Sequence, residues 1–196
     1  MTDFLRAITR EAVNELPIRR YAGQVHLVTS REDMERAAAD FATERVVGFD
    51  TETRPAFRVG QRYPTALAQV ATARAVYLFQ LARLDFSAVL APLLSSATTV
   101  KAGVGPGEDL RQLRQLFEFT PAAIVDLGAL ARRHGMEKSG VRTLAALFLK
   151  FRIPKGTKTS NWAAPRLSPA QLDYAATDAW ACRELYLKFE ALGLLK

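Results

Sequence analysis

Residues 66–72 read A-L-A-Q-V-A-T and residues 75–81 read A-V-Y-L-F-Q-L, two mainly apolar runs with only Ala73 and Arg74 between them. A two-residue connection cannot carry a chain across a sheet, so the second run must return beside the first as an antiparallel hairpin. The preceding run, V-V-G-F-D-T-E at 46–52, reads as a third strand, so the chain meanders before it crosses over. After the hairpin the pattern changes. A helix is expected through V-L-A-P-L-L, then a strand at 98–103, a helix from about Glu108 to Phe117 and a strand at 122–127. Strands alternating with helices after a meander imply an α/β fold, a mixed β-sheet flanked by α-helices on both faces. Upstream, residues 3–16 read as a helix stopped by Pro17, and 25–29 as a short strand. Ser30 and Asp33 form a capping-box pattern ahead of a helix at 31–43. Beyond residue 127 the chain reads as helical apart from one loop at 152–162. No repeat or linker divides it, so the expected organisation is a helical extension at 1–24 and one domain at 25–196.

With 196 residues, 49% of them hydrophobic and 24% charged, the chain can bury a sizeable core. No signal-like segment or membrane-length apolar run occurs, so the expected location is the cytoplasm, with no membrane partner. One cysteine excludes an internal disulfide, and two histidines beside it supply no zinc-type cluster. Any metal must be held by oxygen. The net charge of +7, carried more by Arg than by Lys, favours a polyanionic partner.

Asp50 and Glu52 close the strand at 46–52 with one residue between them. At i and i+2 of a strand they project from the same face, where like charges repel unless a cation lies between them. Alone, such a pair more often marks a strand running out into solvent. Directly after it comes R-P-A-F-R-V-G-Q-R-Y-P at 54–64, whose interleaved cations and rings suit single-stranded nucleic acid, with Phe57 stacking and Arg58 meeting phosphate. Lys101 and Thr51 are further candidate contacts, as are Lys155 and Lys158 in the loop at 152–162. A second acid, Asp109, follows the glycine-rich turn K-A-G-V-G-P-G-E-D-L. That turn is no dinucleotide fingerprint, because Glu108 stands where the third glycine belongs. In L-S-P-A-Q-L-D-Y-A-A-T-D-A, Ser168, Pro169 and Gln171 start a helix. Its buried stripe is Leu172, Ala175, Ala179, Cys182, Tyr186 and Phe189, with Tyr174 and Asp178 one turn apart on the flank. Cys182 reads as a core residue.

The order D-x-E, Asp after a glycine-rich strand end, then Y-x-x-x-D resembles the tyrosine branch of the DEDD 3′-5′ exonucleases, the group of ribonuclease D and the Werner syndrome exonuclease domain. The likeness runs through F-D-T-E-T-R-P, A-L-A-Q-V, V-K-A-G-V-G, V-D-L, G-V-R-T-L-A-A-L-F-L and S-N-W-A-A-P-R-L-S-P-A-Q-L-D-Y-A-A-T-D-A. It implies an RNase H-like sheet, metal-binding carboxylates at Asp50, Glu52, Asp109 and Asp178, and Tyr174 beside the attacking water. Two divalent ions, Mg2+ or Mn2+, would sit among the acids. Asp50 would bridge both ions, Glu52 and Asp178 would complete the inner site, and Asp109 would hold the outer ion through water. The implied activity is removal of nucleoside 5′-monophosphates from a single-stranded or 3′-frayed end, with DNA as the leading substrate. Ribonuclease D-like RNA processing and a non-catalytic nucleic-acid-binding module are the alternatives. Thr53 departs from the Trp of many eukaryotic relatives, and the histidine branch is disfavoured by Asp173 at its base position.

Overall fold

In the computed structural model, which describes residues 7–56, 58, 60–154 and 160–196, six strands form one mixed sheet in the order β1-β4-β3-β2-β5-β6. The strands are β1 (Gln24–Leu27), β2 (Val46–Thr53), β3 (Thr65–Ala71), β4 (Ala75–Gln80), β5 (Val100–Gly103) and β6 (Ile124–Asp126). The expected hairpin is β3–β4, and β2 extends it antiparallel, while β1 joins β4 and the β2–β5–β6 group pairs in parallel. Its tight turn lacks glycine because Thr72 closes it, its hydroxyl accepting from the backbone N–H groups of Arg74 and Ala75 and donating to buried Asp40.

Helices cover both faces. On one side α2 (Arg31–Phe41), α3 (Ser87–Ser95) and α4 (Pro106–Leu113) pack Phe41, Leu90, Leu94 and Leu113 over Val47, Phe49, Val70 and Phe79. On the other lie α5 (Leu127–Arg133), α6 (Val141–Leu144) and the long α7 (Pro169–Ala191), α6 widening into a π-helical stretch at Ala145–Leu149. Among the described residues no helix is long and apolar enough to cross a membrane.

Several boundaries differ from expectation for local reasons. The first helix, α1, is only Arg10–Glu15, because the Thr9 side chain accepts from Ala12 N and starts it there. Pro106 at the first helical position begins α4 two residues early, and the helix ends at Leu113. Strand β5 starts at Val100 because the Ser96 hydroxyl holds the N–H groups of Thr98 and Thr99 in a turn. The stretch before β1 is tied to the body: Ile18 bridges Arg152, and Tyr21 N donates to the Thr177 hydroxyl on α7.

The α7–β2 contact positions everything that follows. Residues 46, 48, 50 and 52 of β2 face α7, while Val47, Phe49 and Thr51 face the opposite layer. At Gly48 the helix backbone comes so near that an added Cβ would lie 1.9 Å from Ala179 O and 2.7 Å from Arg183 N. Small residues Ala175, Ala176 and Ala179 keep the rest of that seam thin, and Arg183 Nε reaches back to Val46 O. Between Glu52 and Thr53 the β2–β3 register shifts at a bulge.

Neither obstacle at Gly48 is a movable side-chain tip, so Gly48→Ala must displace α7 from the sheet. The expected cost is roughly 1–3 kcal/mol, typical of overpacking, read as a lower melting temperature, together with weaker divalent-metal binding. Wild-type values of both would mean that the helix has slack at this crossing.

Candidate active site

Strand β2 presents Asp50 and Glu52 on its α7 face, and α7 presents Asp178 to them. One carboxylate oxygen from each of the three lies within 4.8 Å of those of the other two. Asp178 is buried, with Oδ1 lacking any hydrogen-bond partner. A buried carboxylate oxygen without a donor is costly unless something positive approaches it.

Asp109, on α4, stands outside that tight group and reaches the site from the opposite layer. Its Oδ1 accepts from the Thr51 hydroxyl at 2.8 Å, a bond through which alternate residues of one strand orient acids on both sides of it. The turn before α4 is fixed by Gly105, whose φ of +70° suits glycine, and by Gly105 N donating to Asp126 Oδ1 at 3.0 Å. That oxygen also accepts from Ala129 N and so caps α5. The Asp of the V-D-L motif therefore locks the turn that delivers Asp109.

The electrostatics record the crowding. Burial, then the charges of Asp178, Glu52 and Asp109, hold the Asp50 carboxyl well above the usual range. Burial pushes Asp178 up to about 6, opposed by a hydrogen bond from Tyr174 and the charge of Arg142. Asp109 is raised by burial and partly restored by Thr51. Burial and then the neighbouring carboxylates raise the Tyr174 hydroxyl far above its ordinary value, so it stays protonated at neutral pH. The Tyr174 ring packs 5.9 Å from that of fully buried Trp162, which pins the S-N-W segment down. Cys182 is buried in the core, its thiol pushed up by burial, consistent with having no chemistry of its own.

Other sequence expectations need correction. Lys101 is not a nucleic-acid contact: it is fully buried, and its Nζ donates to Ser96 O at 2.6 Å and Thr99 O at 2.8 Å. Burial lowers its amino group to about 8. The Thr51 side chain is likewise committed to Asp109 instead of facing a ligand. Arg58 is exposed, and Phe57, Lys155 and Lys158 lie outside the described residues. The basic segment forms a groove of about 730 Å³, in which Arg54, Arg62 and Tyr63 face Glu108, Arg111 and Gln112 of α4 and Gln115 just beyond it. The Arg54 guanidinium lies 4.8 Å from the Tyr63 ring centre, a cation–π contact. The polar α4 wall was missed; the spacing of 108, 111 and 112 places them on one helix face, a signal the sequence did carry.

Residues 25–193 match the family model for the 3′-5′ exonuclease domain, and the chain belongs to that family. It is 34% identical over 150 residues to exonuclease 3′-5′ domain-containing protein 2 of Drosophila melanogaster, covering 74% of this chain and 25% of that protein. Ribonuclease D of Haemophilus influenzae is 36% identical over 143 residues, covering 71% and 35%. The chain thus spans about a quarter to a third of those relatives. In fold it resembles the Nibbler EXO domain of Aedes aegypti, with a TM-score of 0.79 and 24% identity over 89% of this chain and 93% of that one. The RNase H-like architecture expected from sequence is the observed one.

The donor set fits divalent metal, as the family implies: hard carboxylate oxygens from separate elements, one of them buried and unpartnered. Without a cation the arrangement is strained electrostatically, and the sign of the pH effect follows. Asp178 goes from an ordinary 3.8 to about 6 on folding, so the folded state binds the extra proton and metal-free stability rises as pH falls through 6 toward 4. Asp178→Asn should remove that dependence and stabilise the metal-free protein at pH 7, by on the order of 2 kcal/mol or several degrees in melting temperature. A melting temperature that falls in Asp178→Asn, with the pH dependence retained, would refute the argument that burial of the Asp178 charge destabilises the metal-free protein.

Proposed function

We propose that this chain is a metal-dependent 3′-5′ exonuclease, hydrolysing phosphodiester bonds from the 3′ end of single-stranded or frayed nucleic acid and releasing nucleoside 5′-monophosphates. The observation that carries the reading is the convergence of Asp50, Glu52 and Asp178 around a buried, unpartnered carboxylate oxygen, with Asp109 alongside. Family membership supports it independently. Residues 25–196 would form the exonuclease domain, with the first 24 as its helical extension.

Asp50, Glu52 and Asp178 would hold one Mg2+ or Mn2+, and Asp50 with Asp109 a second. Bound there, the two ions would acidify the attacking water and stabilise the attacking and leaving oxygens of an in-line displacement. The protein supplies geometry. Tyr174 is protonated and hydrogen-bonded to Asp178, which leaves its hydroxyl oxygen free to accept from a water and aim that water's lone pair at phosphorus. A bond forms from water oxygen to phosphorus as the bond to the leaving 3′ oxygen breaks. The water's proton passes to solvent, and the departing oxygen gains one. The groove of Arg54, Arg62 and Tyr63 offers charge to the strand's phosphates and a ring to its bases.

On 5′-labelled DNA and RNA of matched sequence, magnesium or manganese should produce a ladder shortening from the 3′ end, and chelator should stop it. Activity undiminished in excess chelator would eliminate metal-dependent hydrolysis. Cleavage of RNA alone would favour the ribonuclease D-like reading, and binding without cleavage of either would favour a non-catalytic module. Tyr174→Phe should keep the melting temperature, metal binding and substrate affinity while slowing the single-turnover step by on the order of 10²-fold. An unchanged single-turnover rate would leave the water to another group.

A further inference from the structure

A second cleft opens beside Asp50, distinct from the Arg54–Tyr63 groove. It encloses about 320 Å³ between Asp50, Val104, Tyr174 and Cys182 on one side and the start of α6, Gly140 to Thr143, on the other. Among the described residues Arg142 is the only cation of its lining.

The placement of this side chain is specific. Arg142 is half-buried, and its Nε donates to Ile153 O at 3.3 Å, so the base of the guanidinium is tethered to the chain leaving the π-helical stretch. Among the described residues no carboxylate lies within ion-pair distance of it, and Nη1 and Nη2 make no hydrogen bond. Its charge nonetheless reaches Asp178, whose carboxyl it partly stabilises. The cation is thus close enough to feel the acid cluster without being consumed by it. With its Nε edge occupied, the remaining two amino groups form a planar fork of the kind that takes two oxygens of one phosphate. Charge balance favours the same occupant: two divalent ions would neutralise the four acids, and the phosphodiester brings one further negative charge that, among the described lining residues, Arg142 alone matches.

We propose that Arg142 binds the reacting 3′-terminal phosphodiester, with Nη1 and Nη2 donating to its non-bridging oxygens while the Ile153 carbonyl holds the guanidinium in aim. This rests on the exonuclease reading and adds to it a residue that neither the carboxylate motifs nor Tyr174 provides. Arg142 would act by fixing the phosphate against the water oriented by Tyr174 on the facing wall of the cleft.

The test is a cycle of protein and substrate changes, read by binding in calcium so that turnover does not intervene. Wild type, Arg142→Gln and Arg142→Lys are titrated with oligonucleotides carrying one neutral methylphosphonate at the terminal linkage, at the third linkage, or at none. On the unmodified strand Arg142→Gln should weaken binding by roughly 10- to 100-fold, the range for losing charge-assisted bonds. Arg142→Lys, which keeps charge but not the fork, should fall between. Neutralising the terminal linkage should weaken wild type comparably and leave Arg142→Gln nearly unaffected, whereas neutralising the third linkage should affect both proteins equally. Additive effects at the terminal linkage, or coupling only at the third, would overturn the proposal and leave Arg142 as an anchor for Ile153. Melting temperatures of the variants, compared with that of wild type, separate the anchor's contribution. Failure of the exonuclease reading would look different: wild type itself would cleave nothing in magnesium or manganese.

Discussion

Helix α7 lies against β2 at the distance that only a glycine permits, and the position of every acid except Asp109 follows from that crossing. Asp178 lies within the helix segment that packs there, one residue before Ala179, and Asp50 is the next residue on the same face of the strand after Gly48. A methyl group at position 48 would push the helix outward and separate the two carboxylates. The alanines at 175, 176 and 179 and the Arg183 bond to Val46 O serve the same contact, one by remaining small and the other by holding on. Hydrophobic burial supplies the driving force: Leu67, Leu78 and Trp162 are fully covered by this layer, each worth roughly 1.5–3 kcal/mol on transfer from water. Packing energy is thereby used to press like charges together.

The result is a site whose order comes from the scaffold and whose charge awaits a counterion. The Thr51 hydroxyl orients Asp109, and Asp126 secures the turn that brings Asp109 in. These bonds aim the oxygens but leave Asp178 Oδ1 unmatched. Such preorganisation costs stability in the metal-free protein and reduces the rearrangement needed when cations arrive.

Most of the framework was legible in the sequence because its signals are local. A two-residue gap between apolar runs can mean little besides a hairpin, and Ser168-Pro169 with Gln171 can mean little besides a helix start. The acids were legible through their spacing on elements of known period. Lys101 was not, because its burial depends on β5 running between β2 and β6, a pairing set by the whole sheet. Thr51 misled for a related reason: residue type suggests a ligand contact, while strand alternation sends the side chain to the layer holding Asp109. Arg142 lay within a quoted motif yet gave no sign of its setting, since the cleft joins residues from 50 to 182.

The bulge between Glu52 and Thr53 has an evolutionary side. Up to Glu52 each residue of β2 answers to two layers of packing, and a substitution there is felt by the core. Beyond the slip Thr53 pairs with Thr65, where β3 begins, so this irregular pair borders both the in-register strand that carries the acids and the segment 54–64. With that segment gripping the strand as proposed, selection on grip and selection on the carboxylates would act on opposite sides of one irregular pair.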